Sequence, residues 1–299
     1  MNQRTPPGGD SPYRGPSGKR PDKRERERLR QSRPPAEAPP RRAPPREPSE
    51  ADPPRPPREQ RIHGLNACLA LFARRPQDIR KVWLLQARIP KLKAVIEHCV
   101  QHRVGYTVVE DEDLQKLSAS SHHEGVVFGA VPARELDLAE WLRALAPGPQ
   151  LAIWLDGVGN PHNLGAILRS AAHFGVAGLL LPQGGTLALS GAAARVAEGG
   201  AEQVPMVRLG ASEPALAALK AAGFQAAATV VRGGQPLYAA ALPERLVLVM
   251  GAEQVGVGQA MAAAVATRLA VPGTGAVESL NVAAATVVFL GEWWRQRRA

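Results

Sequence analysis

From Leu151 onward, short apolar runs return at intervals with helical stretches between them: LAIWLDG, GLLLPQ, FQAAATVV, RLVLVMG and RLAVPG. Runs of this length suit strands buried on both faces, and their alternation with helices is the pattern of a parallel sheet covered on both sides. The pattern predicts a parallel α/β domain over residues 150–299. Ligands of such sheets gather beyond the C-terminal strand ends. Three of those ends are rich in glycine and short polar residues: GVGNPHNLG after the first strand, VMGAEQVG around Glu253, and VPGTGAVESLN leading to Ser279 and Asn281. On pattern alone this is a doubly wound nucleotide-binding sheet. The glycines at 157, 159 and 165 nevertheless miss the GxGxxG spacing of a dinucleotide site, and the P-loop pattern is absent.

Upstream, residues 59–133 predict a small α/β module. NACLALFARR and PKLKAVIEHCVQH have helical spacing, DEDLQKLS suits a short helix, and KVWLLQ, VGYTVV and GVVFGAV read as strands. Residues 134–149, which include LAEWLRAL and the break APGPQ, read as a linker. Residues 1–58 are dominated by Pro, Arg, Glu, Gly and Ser, too poor in large apolar residues to offset the entropy of ordering, and are expected to be a disordered tail.

The chain carries 37 Lys and Arg against 27 Asp and Glu, a net charge of +10. Its first 58 residues hold 15 basic and 8 acidic groups, so most of the excess lies in the tail, where it favours a polyanion such as RNA. A solubilising linker is the plainer alternative. The two cysteines, Cys68 and Cys99, sit in apolar stretches without a CxxC pair, which suits a reducing compartment. No apolar leader begins the sequence and no run is long enough to span a membrane, so a cytoplasmic location is expected.

Three segments, NPHNLGAILRSAAHFGV, LVLVMGAEQVG and VPGTGAVESLNVAAA, together resemble in order and spacing the motifs of the SpoU, or TrmH, family of RNA 2′-O-ribose methyltransferases, part of the SPOUT superfamily. Further upstream, IHGLNACLAL and SHHEGVVFGA look like the start and end of the small substrate-binding module that precedes the catalytic domain in many members. The resemblance implies a parallel-sheet domain with a C-terminal trefoil knot, an exception among folds that periodicity does not reveal. It implies S-adenosylmethionine as methyl donor, tRNA or rRNA as acceptor, a homodimer with the site completed near its interface, and no metal.

Carried over residue by residue, the resemblance places the donor against Met250, Gly251, Val271, Pro272 and Leu280, with glycine at the strand end letting backbone approach the cofactor. It assigns catalysis to Asn163, Arg169, Glu253, Ser279 and Asn281. Methyl transfer to a ribose hydroxyl needs alignment with the methyl, assistance in proton loss, and a place for charge developing on oxygen. The resemblance makes Arg169 the base that takes the hydroxyl proton; a free guanidinium stays protonated at ordinary pH, so the alternative is that Arg169 holds an RNA phosphate and stabilises the forming alkoxide. Glu253 is expected to anchor Asn163 or Arg169, while Ser279 and Asn281 also suit helix capping.

Other polar residues carry less. His122 and His123 lack a third ligand in view and read as turn or RNA-contact residues, while His162 and His173 read as structural. Adjacent Trp293 and Trp294 cannot share one helix face, so at least one is expected in the core or at an interface. Two other readings remain open at this level. One is an RNA-binding protein of the same fold without catalysis; the other is a knotted enzyme methylating a base nitrogen, which the SLN segment disfavours.

Overall fold

A computed structural model describes residues 59–183, 187–252 and 256–298. The Arg/Pro-rich tail, 1–58, and Glu253 lie outside the described residues.

The small module is a four-stranded sheet in the order β1-β4-β2-β3, formed by β1 (Gln60–His63), β2 (Ile79–Leu84), β3 (Gly105–Val108) and β4 (Val126–Ala130). Its residues alternate between two faces, as a strand's period of two requires. Val82, Leu84, Val126 and Phe128 pack with Cys68 and Leu71 of α1 (Leu65–Arg74) and Val95 and Cys99 of α2 (Lys93–Gln101). Trp83 and Val127 face the other way, against Leu114 of α3 (Asp111–Ser118). Both cysteines are buried and free, and burial pushes the thiol of each up, away from thiolate chemistry.

The second sheet has eight strands, all parallel, in the order β10-β12-β9-β11-β6-β7-β8-β5. Its centre is β6 (Gln150–Asp156) beside β11 (Arg245–Gly251), each buried along its five inner residues. These are the continuous apolar runs LAIWL and LVLVM, and the sheet buries them because helices cover both faces. Leu151, Ile153 and Leu155 pack under α5 (Pro161–His173), α6 (Gly191–Val196) and α9 (Val282–Arg298). Ala152 and Trp154 pack under α4 (Leu138–Ala144), α7 (Ser212–Ala221) and α8 (Gln259–Ala264). Each large side chain so buried contributes about 1.5–3 kcal/mol before entropic costs. Strands β7 (Gly178–Leu181), β9 (Gln225–Thr229) and β12 (Thr267–Ala270) fall on predicted runs, whereas β8 (Met206–Arg208) and β10 (Gln235–Pro236) are too short to leave a periodic signal.

The expected linker is corrected. Leu136–Asp137 forms β5, which pairs with β8 at the sheet edge, and Asp137 and Glu140 make a reciprocal capping box that starts α4. Trp141 is buried and donates its indole N–H to Ala177 O at 2.9 Å. The amphipathic turn LAEWL thus belongs to the second domain, because its tryptophan finds both an apolar pocket and an acceptor there. What the structure gives is the strand order and the parallel sheet, not the threading of the expected knot.

The two modules are clasped. Arg75 after α1 donates to both carboxylate oxygens of Glu202, at 2.8 and 2.9 Å, and also to Asp78 and to Val131 O. Arg75 and Glu202 are both nearly buried, so neither charge is easily left alone. Gln60 donates to Leu189 O, Arg74 to Gln203, and Asn66 to Glu198 across the same boundary.

Candidate active site

The C-terminal ends of β6 and β11 lie side by side, with Asp156 opposite Gly251. Asp156 accepts the backbone N–H of Gly258 at 2.7 Å, tying the segment after β11 back to the neighbouring strand. Ala252 and Gly256 exchange two backbone hydrogen bonds, of 3.0 and 2.8 Å. Sequence reasoning passed over Asp156, although an acidic residue ending the first apolar run, in WLDG, is a visible signal.

Gly251 departs from the expected reason for glycine. A Cβ there would lie 2.1 Å from the Gly256 carbonyl carbon and 2.2 Å from the Val257 nitrogen, so the close approach is made by the chain's own returning backbone. Gly165, in the first motif, has a comparable role: a Cβ would meet Ala193 O at 2.5 Å, so its absence lets α5 lie directly on α6.

Asn160 caps α5, accepting from the N–H of His162 at 2.9 Å, with Pro161 at the first helical position. Asn163 follows in the first turn and is 92% buried, its exposure only 8%. Its Oδ1 accepts from Asn281 Nδ2 at 3.1 Å. Asn281 is at the same time the cap of α9, its Oδ1 accepting from Ala283 at 2.9 Å and Ala284 at 3.3 Å. One amide therefore orients both helix starts. Ser279, read beforehand as an equally good cap, is exposed and lies outside the helix, which begins at Val282.

Of the residues expected to hold the donor, Met250 is buried, Gly251 and Val271 are half-buried, and Pro272 and Leu280 are exposed. From Pro272 to Asn281 the chain is irregular and exposed throughout, with Val277 at 71% and Leu280 at 47%. Apolar side chains standing open beside backbone outside any helix or strand fit a ligand that has an aromatic ring and a polar edge, as the adenosine of S-adenosylmethionine does.

Arg169 is placed elsewhere. Six residues along α5 from Asn163, it is exposed, makes no hydrogen bond or ion pair among the described residues, and lines an open cavity of about 740 Å³. The same cavity is bordered by Asn66 and Ala70 of the small module, Glu198 after α6, and Val287 of α9. Within one chain, then, Asn163 and Asn281 meet and Arg169 faces the junction of the two modules.

Two of the histidines are buried. His123 is buried in the turn before β4, where Nδ1 accepts from Gly125 N–H at 3.1 Å and Nε2 stands 3.4 Å from Asp111. His63, which sequence reading did not single out, is buried at the module boundary with neither ring nitrogen hydrogen-bonded. Burial foremost, with Arg195 and His123 adding to it against the pull of Glu124, lowers its pKa below the ordinary imidazole value. His162 is exposed on α5, and His173 packs edge-on against Phe174. Trp293 is buried and donates to Pro243 O at 3.0 Å, while Trp294 is exposed.

Comparison with known proteins agrees with this arrangement. Residues 150–291 match the SpoU rRNA Methylase family, and residues 61–136 match the family described as RNA 2′-O ribose methyltransferase substrate binding. The chain is 39% identical to the uncharacterized tRNA/rRNA methyltransferase YfiF of Escherichia coli O157:H7 over 81% of its own length and 69% of the relative's. It is 34% identical to the 23S rRNA (guanosine-2′-O-)-methyltransferase RlmB of Salmonella typhimurium over 79% of this chain and 98% of that one. Among solved structures, the AdoMet-bound rRNA methyltransferase of Sinorhizobium meliloti superimposes with a TM-score of 0.66, at 26% identity, covering 80% of this chain and 87% of the other. With both modules matched and two relatives at least a third identical over most of their length, the chain belongs to the SpoU rRNA methylase family.

Proposed function

We infer that this protein transfers a methyl group from S-adenosylmethionine to a ribose 2′-hydroxyl of RNA. The observation that carries the reading is Asn281, which caps α9 and holds Asn163 at the strand ends where the family motifs converge. Bound against Met250, Gly251, Val271, Pro272 and Leu280, S-adenosylmethionine supplies a methyl group on a positively charged sulfur. The protein's own work is to bring a ribose oxygen into line with that methyl and to accommodate the charge left as the hydroxyl proton departs.

The Asn163–Asn281 pair fixes the floor of the site before any ligand arrives, so no side-chain entropy is lost there at the moment of reaction. Arg169, with no partner to compete for its guanidinium among the described residues, is suited to a phosphate and to the oxygen as it becomes an alkoxide. Glu253 and Ser279 are proposed to complete the site: Glu253 by anchoring Asn163 or Arg169, Ser279 from the exposed segment before α9.

A homodimer is part of the proposal. Leu280, Val287 and Trp294 recur every seven residues, and all are exposed. That spacing lines one side of a helix and the turn before it, which suits a second copy of the chain. Val287 also borders the Arg169 cavity, so a partner seated on the stripe would help complete the site. tRNA and rRNA are both suitable acceptors. No helix among the described residues is long and apolar enough to cross a membrane. The test is transfer of labelled methyl from S-adenosylmethionine to RNA from cells lacking the protein, followed by mass analysis of the nucleosides. The reading expects label in a 2′-O-methylated nucleoside, and label in a base-methylated one instead would contradict it.

A further inference from the structure

Glu198 has the left-handed backbone conformation, φ 51°, immediately before Gly199 at φ 91°. Residues with a Cβ rarely adopt this region, and glycine would do so without strain. What holds the glutamate there is not a large stabilising contact: its carboxylate Oε2 accepts from Asn66 Nδ2 at 2.6 Å in a half-open position between the modules. Exposed polar contacts of this kind contribute little to stability. A strained residue kept for so little stability points to a use of its side chain.

The side chain faces the cavity that Arg169 lines. Glu198 and Arg169 border the same space, yet Arg169 forms no ion pair with it or with any other described residue. The rings of His173 and Phe174 border the same cavity, packed edge to face with centroids 4.9 Å apart. A cation, aromatic rings and a carboxylate with one oxygen still open around one cavity suit the phosphate, the ring and the edge of a single nucleotide.

The chemistry of the far wall selects among bases. Asn66 spends a donor on Glu198, leaving its own Oδ1 and the carboxylate Oε1 as acceptors. Two neighbouring acceptors call for two neighbouring donors. Guanine offers them at N1–H and the 2-amino group. Adenine and cytosine each place a ring acceptor beside their amino donor, and uracil flanks its one ring N–H with two carbonyls.

We infer that Glu198, positioned by Asn66 of the small module, is a specificity-determining residue that reads the guanine edge of an RNA nucleotide held in the Arg169 cavity. This rests on reading the chain as an RNA methyltransferase, and its test is a binding measurement that needs no turnover. The full chain is titrated at fixed salt with short uridine-rich RNAs that carry one guanosine, inosine or adenosine. Inosine lacks only the 2-amino group.

The wild type should bind the guanosine RNA roughly tenfold more tightly than the inosine RNA, the loss expected for one hydrogen bond to a charged acceptor. Glu198→Gly relieves the backbone strain and should melt no lower, yet bind the two RNAs alike. Asn66→Ala should narrow the gap in the same direction. Equal binding of guanosine and inosine RNAs by the wild type, or a gap that survives Glu198→Gly, overturns the inference, as does wild-type protein that binds none of the three. The methyl-transfer reading stands apart from these results, since it is decided by whether and where labelled methyl enters RNA and not by which base is bound.

Discussion

Asn163 and Arg169 lie six residues apart on α5, and the rest of the molecule treats them in opposite ways. Asn163 is buried and held by Asn281, the residue that also starts α9, so its place is settled by packing and capping within the chain. Arg169 is exposed in a cavity that the catalytic domain and the small module build together. The fold thus fixes the asparagine end of the proposed site and leaves open the arginine end, which is proposed to meet RNA. A rigid donor site with an adaptable acceptor site is what an enzyme needs when one ligand is always the same and the other is a large polymer.

Substitutions at the two ends should separate accordingly. Arg169→Ala should reduce methyl transfer by about a hundredfold or more, as loss of a group that stabilises developing charge does, with donor affinity and melting temperature unchanged. Measured by single-turnover transfer and by calorimetric titration of S-adenosylmethionine, this is the largest effect expected on activity. If Arg169→Lys keeps both rate and pH dependence, neither guanidinium role stands.

Glu202→Gln tests the clasp behind the cavity. It takes from the nearly buried Arg75 its bidentate charged partner and leaves only the longer contact to Asp78, a loss of up to about 3 kcal/mol, and it should lower the melting temperature and raise the KM for RNA. Donor affinity should stay the same. A variant with wild-type KM for RNA would mean that the small module's docking does not set the acceptor site.

Asn281→Ala removes a cap and the hydrogen bond to Asn163 together. A loss of about 1 kcal/mol is expected from capping alone, with donor binding weakened as well, the reverse of the Arg169→Ala pattern. Asn281→Ser should restore most of the stability, since serine also caps, and little of the donor affinity, which would divide the two roles of one side chain.

Much of this was legible beforehand. The central strands, the helices over them and the helices of the small module follow from apolar periodicity, because burial on one or both faces imposes it. The edge strands were not, since β5, β8 and β10 are held by neighbours rather than by their own pattern. LAEWLRAL gives the helix but not its place: only the structure shows Trp141 inside the second domain's core. Site residues Asn163 and Asn281 could be named from the motifs, but not that they touch. Arg169 could be named too, yet the partners of its cavity, Asn66 and Glu198, lie in segments far apart in the chain and carry no local signal.

A smaller effect concerns pH. The lowered pKa of His63 means that below about 6.5 the unfolded chain takes up a proton that the folded one resists, so its contribution is complete above that value and is lost as the pH falls. Arg195, His123 and Glu124 face it. Melting temperatures measured between neutral and mildly acidic pH should decline in the wild type and decline less in His63→Gln. An identical decline would assign the effect to other groups.

The most direct test compares wild type and Arg169→Ala for transfer of labelled methyl to RNA from cells lacking the protein, with mass analysis of the labelled nucleoside. The account predicts a 2′-O-methylated nucleoside with the wild type and almost none with the variant, although both bind S-adenosylmethionine equally. Label on a base, or equal transfer by the two proteins, would contradict it.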